Sequence, residues 1–225
     1  MPDENSQETQ IGNPDDIIVN KGVFQLTKLP IKYNSFEPEI EATTLKLHYS
    51  KIFANYTNSF NKIANQFKIE NKSIEEISKV LDVNNPILRN NAGGYYNHKL
   101  YFESLTSKKN NLLDGDFKNA IITDFESFEN FKNKFKSTAN EQIGSGWIWL
   151  ILDQNKKLQI IFTQNEDNPL MQNAPIKGTP ILCLDLWEHA YISENQINKT
   201  NYVDYFFETI NWDVIMRRYQ TAINL

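Results

Sequence analysis

The sequence predicts an α+β protein: an N-terminal helical hairpin domain, then a C-terminal mixed domain with a three-stranded antiparallel sheet and helices. Three observations carry this expectation. Apolar residues recur at three-to-four spacing from Glu37 to Glu141. The period then switches to short runs rich in Trp, Ile and Phe, joined by a polar turn. Helical spacing returns from Trp187, so the order is helices, three strands, helices.

The opening MPDENSQETQIGNPDDIIVNKG is acidic and poor in large apolar groups, and residues 1–23 read as a disordered leader or linker. Residues 24–110 are the expected hairpin domain and residues 111–225 the C-terminal α/β domain. The first long helix is expected from Glu37, with Pro38 in its first turn, where a missing N–H is tolerated. Its apolar stripe runs through Leu45, Leu47, Ile52, Phe53, Phe60 and Ile63. SIEEISKVL is a short amphipathic helix in which Ser73 and Glu76 fit a capping box. ILRNNAGGYYNHKLYFESL reads as helical despite Gly93–Gly94, although glycine inside a helix costs roughly 1 kcal/mol relative to alanine. Close backbone packing or a cofactor is the expected reason. GDFKNAIITDFESFENFKNKFKSTANE divides into two helices near Thr123–Asp124. GSGWIWLILD and KLQIIFTQ form a hairpin across QNKK, TPILCLD adds a third strand, and helix runs on through YVDYFFETINWDVIMRRYQ.

At 225 residues, 40% apolar and 12% aromatic, the chain is large enough for a proper core. It has no apolar run of about 18 residues, so no membrane-spanning helix and no membrane partner are expected. A net charge of −5 and only three arginines argue against nucleic acid as the main partner. The one cysteine, Cys183, sits in the apolar run PILCLDLW and excludes an internal disulfide or thiolate cluster. No basic-then-apolar signal opens the chain. A cytoplasmic location is expected, with export after leader removal as the alternative.

Each of the three histidines lies among apolar or aromatic neighbours: His48 in LKLHYSKIF, His98 in GGYYNHKLYF, His189 in LWEHAY. Hydrogen-bonded core histidines are the bland reading of each. Asp185, at the end of an apolar strand, shifts the balance. A buried carboxylate needs a cation or strong donors, and no Arg or Lys stands close to it in sequence. With His189 four residues later, both groups can point at one centre. Three neutral imidazoles and one carboxylate suit iron, manganese or zinc better than copper(I) or an iron–sulfur cluster. From the residues alone this is a metal site with the metal undecided.

The same residues carry a resemblance. LDLWEHAY, RNNAGGYYNH, GSGWIWL, NPLM and NYVDYFFETINWD, with the opening LPIKYNSFEPEIEATTLKLHYSK, occur in the order found in iron/manganese superoxide dismutases. The likeness spans Phe24 to Tyr219. It implies a hairpin domain and an α/β domain with one iron or manganese per chain between them, converting superoxide to dioxygen and hydrogen peroxide. Carried over position by position, the implied ligands are His48, His98, Asp185 and His189. Tyr56 would lie near the substrate channel, with Trp147, Trp149 and Trp187 around the site. Glu188 would reach His189 of the other subunit in a homodimer, or in a tetramer as the alternative, fixing the tautomer of that ring. Lys51 and Lys199 match basic channel residues of the family, against the plain reading as surface lysines.

The chain departs from the family pattern at three places. Ile52 replaces a usual histidine and Ile192 a usual tyrosine, two residues that meet across the family's dimer interface. Replacing both partners with apolar groups can be nearly neutral for stability. Glu166 stands where a glutamine is expected, with Gln164 nearby as a substitute; an amide can donate a hydrogen bond and an ionised carboxylate cannot. A smaller change puts Tyr101–Phe102 where a Phe–Trp pair is common. An active iron or manganese dismutase with altered proton supply is the first reading. A weak or inactive structural relative that keeps the metal site is the alternative, and a metalloenzyme for another small oxidant or reductant is the third.

Overall fold

Capping and amphipathic spacing build the first half as a hairpin of helices. The computed structural model describes residues 11–108, 114–192 and 199–225. α1 (Ala42–Leu47) passes through a π-helical turn (His48–Phe53) into α2 (Ala54–Phe67). α3 (Ile74–Val80) has the expected capping box: the Glu76 N–H donates to Ser73 Oγ at 3.1 Å and the Ser73 N–H to Glu76 Oε2 at 2.7 Å. α4 (Pro86–Glu103) starts with proline at its first position and packs back along α2. The helix expected from Glu37 begins at Ala42 instead. Glu37 acts from outside the helix, its Oε1 accepting the Ala42 N–H at 3.1 Å.

Part of the expected leader lies against this hairpin. The Asn20 N–H donates to Asn58 Oδ1 at 2.7 Å, and Lys28 pairs with Asp15 at 3.2 Å. Residues 1–10 fall outside the described residues.

The second half begins with α5 (Gly115–Phe125) and α6 (Phe128–Glu141). They part at Glu126, whose φ is 69°, and not at Thr123–Asp124. Asp124 stays helical and uses its carboxylate on the Leu158 N–H at 2.8 Å. β1 (Gly146–Asp153), β2 (Leu158–Gln164) and β3 (Gly178–Asp185) form an antiparallel sheet in the order β2-β1-β3. The expected α+β architecture is therefore present. Trp147 stands opposite Asp185 and Trp149 opposite Cys183, so these four side chains share a face. Between the pairs Leu150–Leu182 and Ile151–Pro180 the register slips by one residue, leaving Ile181 extra on β3.

Among the described residues, a three-residue 3₁₀ turn (Glu188–Ala190) follows Trp187, and α7 (Lys199–Thr209) and α8 (Trp212–Ile223) come after it. The continuous helix expected from Trp187 is thus absent at its start, and residues 193–198 lie outside the described residues. β1 is buried along its whole length because α8 and α6 pack on it while β2 and β3 flank it. α4 packs on β3, so one apolar core runs from Phe53, Phe60 and Phe102 of the hairpin to Trp147 and Trp149 of the sheet. Among the described residues no helix is long and apolar enough to cross a membrane.

Candidate metal centre

Four side chains distant in sequence meet where α4 and the π-helical turn approach the end of β3. His48 opens that turn, and a π turn inserts an extra residue that re-aims the side chains on it. His98 comes from the buried face of α4, Asp185 from the last position of β3 and His189 from the 3₁₀ turn. One ligand atom from each lies within 4.8 Å of the others. The three Nε2 atoms surround a single oxygen. Asp185 Oδ2 is 3.1 Å from His48, 3.7 Å from His98 and 3.1 Å from His189. Its Oδ1 accepts the Trp187 N–H at 2.8 Å, so Oδ2 is the atom left for the centre.

His98 shows what the centre favours. Its Nδ1 lies 2.7 Å from the Gly94 carbonyl, which can only accept, so Nδ1 carries the hydrogen. Burial pushes the His98 pKa down to about 3, leaving a neutral ring whose Nε2 lone pair faces Asp185. Burial also lowers the pKa of His48. Neither Nε2, of His48 or of His98, has a hydrogen-bond partner among the described residues, although both are buried. Burial opposes the charge of Asp185, but His189 and His48 outweigh it and hold the carboxyl below the usual carboxylate range. The unpartnered His98 lone pair beside an anionic oxygen is unfavourable alone, and a cation between them turns the same arrangement into coordination. The donor set of three imidazoles and one carboxylate fits iron or manganese.

Aromatic rings enclose the centre. Tyr101 stacks on His48 at 5.3 Å, Trp147 meets His98 edge-on at 5.0 Å, and Trp187 stacks on His189 at 5.8 Å. Trp149 stands one layer back and donates to Thr163 Oγ1 at 2.8 Å. The Gly93–Gly94 pair is explained by contact on both sides of α4. A Cβ on Gly93 would lie 1.8 Å from the Glu166 carbonyl oxygen, and one on Gly94 would lie 2.3 Å from Tyr56 Cε1. Gly93 thus admits the Glu166 backbone and Gly94 the Tyr56 ring.

Glu166 is 1% exposed, while Gln164 is exposed on β2 and does not stand in for it. Glu166 Oε1 is 3.1 Å from Tyr56 Oη, and Oε2 accepts from Trp147 Nε1 at 2.9 Å and Asn97 Nδ2 at 3.2 Å. Burial, helped by Asp185, pushes its pKa up to about 8. Burial and Glu166 together raise the pKa of Tyr56.

Comparison with known proteins agrees with this geometry. The model of the iron/manganese superoxide dismutase α-hairpin domain matches residues 23–106, and that of the C-terminal domain matches residues 113–218. The chain belongs to the iron/manganese superoxide dismutase family. A relative named superoxide dismutase [Mn] from Buchnera aphidicola is 40% identical over 208 residues, covering 90% of this chain and 99% of its own. Relatives of the same name from Yersinia enterocolitica and Escherichia coli K12 are 37% and 38% identical, covering 88% and 87% of this chain and 99% and 97% of their own. These family relatives are oxidoreductases, and here His48, His98, Asp185 and His189 form a possible single metal site.

Several neighbours of this dismutase-family site did not stand out in the sequence. Asn97 donates to the backbone oxygen of Glu166 as well as to its carboxylate, at 3.1 and 3.2 Å. Arg89 grips Asp167, the residue after Glu166. Their spacing with Gly93, four residues each way along one helix, was the available signal. Lys199 gives its ammonium to the Gln142 carbonyl at 2.6 Å, and Lys51 is exposed. Ile52 is half-buried, Ile192 is 49% exposed and Glu188 is exposed.

Proposed function

We propose that the protein is a superoxide dismutase, in which two superoxide anions and two protons become one dioxygen and one hydrogen peroxide. The proposed centre is mononuclear, with one iron or manganese held by His48, His98, Asp185 and His189. The observation that carries this reading is the neutral His98 Nε2 facing ionised Asp185 beside two further imidazoles, in a chain of this family. When bound, the metal supplies a one-electron store that takes an electron from one superoxide and returns it to the next.

The chain's own residues provide the protons and the shielding. Tyr56 and Glu166 are the proposed catalytic residues. Glu166 Oε2 is occupied by Trp147 Nε1 and Asn97 Nδ2, both obligate donors, so the hydrogen of the neutral acid belongs on Oε1, facing Tyr56 Oη. The protonated acid thereby keeps the donor that a glutamine would offer. Trp147 and Tyr101 limit water around His98 and His48, whose pKa values burial lowers, and Trp187 covers the His189 ring.

The reading extends to a homodimer in which Glu188 accepts from His189 of the second copy. Ile52 and Ile192 then replace a polar contact at the mouth of the channel, which leaves proton delivery to the Tyr56–Glu166 pair. A cytoplasmic location and the division into residues 24–110 and 111–225 belong to the same proposal. A second reading, a weak or inactive relative that retains the metal site, is favoured by one observation: a titratable carboxyl where the family has an amide.

Metal content per chain and superoxide removal, measured for the iron- and manganese-loaded protein from acid to alkaline pH, separate the two readings. Stoichiometric metal with activity in at least one form is expected. Stoichiometric metal without activity at any pH supports the second reading, and absence of both metals overturns the centre.

A further inference from the structure

We propose that Arg89 is a positioning residue for the Glu166 carboxyl, acting through Asp167. The proposal rests on the reading of Glu166 as a group of the centre. Arg89, Gly93 and Asn97 stand four residues apart on α4 and therefore line one face. All three meet the turn that follows β2. Arg89 Nε and Nη2 donate to the two oxygens of Asp167, both at 2.5 Å, and Nη1 donates to the Val83 carbonyl at 3.2 Å. Gly93 leaves room for the Glu166 carbonyl. Asn97 Nδ2 donates to that carbonyl at 3.1 Å and to Glu166 Oε2 at 3.2 Å.

The turn is tight. Asn165 has a φ of 51°, a left-handed conformation that asparagine adopts more readily than other residues with a side chain. Asp167 is 8% exposed, and its other side-chain donor is Asn173 Nδ2 at 2.7 Å. A planar guanidinium bonded to both carboxylate oxygens fixes angle as well as distance, which a point charge does not. With Asp167 locked at one end and Asn97 at the other, the Glu166 backbone has no slack, and its side chain points back to Tyr56 and Trp147. Without Arg89, the Asp167 carboxylate is left short of donors, and turning toward water relieves it. That movement carries Glu166 with it and lets water reach its carboxyl.

The sign of one measurable shift separates positioning from direct electrostatics. Losing a positive charge nearby would raise the pKa of Glu166, whereas admitting water to a buried acid lowers it. The ionisable groups that face Glu166 are Tyr56 from α2 and Asp185 from β3, and Arg89→Gln leaves both in place. The carbonyl stretch of a protonated carboxyl, followed by infrared spectroscopy against pH and assigned by its loss in Glu166→Gln, reads that pKa in the metal-loaded protein. In Arg89→Gln the midpoint is expected to fall by about one pKa unit, a tenfold change. Arg89→Lys keeps the charge without the fork and is expected to fall as well. Asp167→Asn serves as the second variant should Arg89→Gln not fold, with the same direction expected.

The double variant Arg89→Gln/Glu166→Gln is expected to show the pH profile of superoxide removal of Glu166→Gln alone. A midpoint that is unchanged or raised, with stability lowered, makes Arg89 a brace only and overturns the proposal. Absence of any carboxyl band that depends on Glu166 overturns it too. The infrared comparison needs no turnover, so it gives its result even if the protein fails to remove superoxide, and the two failures stay distinct.

Discussion

Glu166→Gln is expected to stabilise the protein at alkaline pH and to leave it nearly unchanged in acid. The fold raises this carboxyl from 4.5 to about 8, through burial first and Asp185 second. At about 1.4 kcal/mol for each pKa unit this is roughly 5 kcal/mol, and relaxation of the site on ionisation brings the measurable value to about 2–4 kcal/mol. The unfolded chain releases its proton near the ordinary value and the folded chain only near 8, so between the two the folded state holds more protons. Stability therefore falls as pH rises through this window, and above it the loss is complete. Glutamine keeps the hydrogen-bond pattern, with its carbonyl accepting from Trp147 and Asn97 and its amide donating to Tyr56. It has no proton to release, so the alkaline loss should vanish. Urea unfolding of the metal-free proteins at about pH 5 and about pH 9 measures the effect. Equal pH dependence in wild type and variant would refute a buried neutral acid at this position.

Three further outcomes are expected. His189→Ala should reduce bound iron or manganese to a trace on elemental analysis, and stoichiometric metal in that variant would remove His189 from the ligand set. Gly94→Ala sets a Cβ 2.3 Å from Tyr56 Cε1. Thermal unfolding should show a loss of about 1–3 kcal/mol, with superoxide removal falling as the Tyr56 ring is displaced. In the metal-free protein His98 stays neutral down to about 3, while in the unfolded chain it takes up a proton below 6.5. The unfolded state then binds more protons, so stability should fall as pH drops between those values. An acid-unfolding midpoint that His98→Gln leaves unchanged would count against that account.

The four proposed ligands stood out in the sequence because polar groups inside apolar runs must be paired, and His48, His98, Asp185 and His189 are all of that kind. The cost of Gly93–Gly94 was visible, but its cause was not. The Glu166 carbonyl and the Tyr56 ring arrive from other elements and meet α4 only in the folded chain. Helix ends were misplaced for a related reason. Glu37 and Asp124 looked like helix or break residues, yet each uses its carboxylate on a backbone N–H outside its expected role. Asn97 and Arg89 read as ordinary polar positions on a helix, because their meaning lies in the turn after β2. Propensity and spacing report what a segment does alone, and these residues act across segments.

The extra residue Ile181 gives the sheet a slack end and a fixed end. Side chains alternate along a strand, so a slip of one position would turn Asp185 away from Trp147. The irregularity falls between Leu150 and Ile151, before β3 reaches the histidines. Loop grafts or length changes at the hairpin turn 154–157, or ahead of Gly178, can therefore be absorbed without disturbing the phase of the Trp147–Asp185 pair. An insertion between Trp147 and Leu150 has no such buffer and would turn Trp147 into the opposite layer, away from Asp185. Anyone reshaping this scaffold should cut at the end of the sheet farthest from the imidazoles.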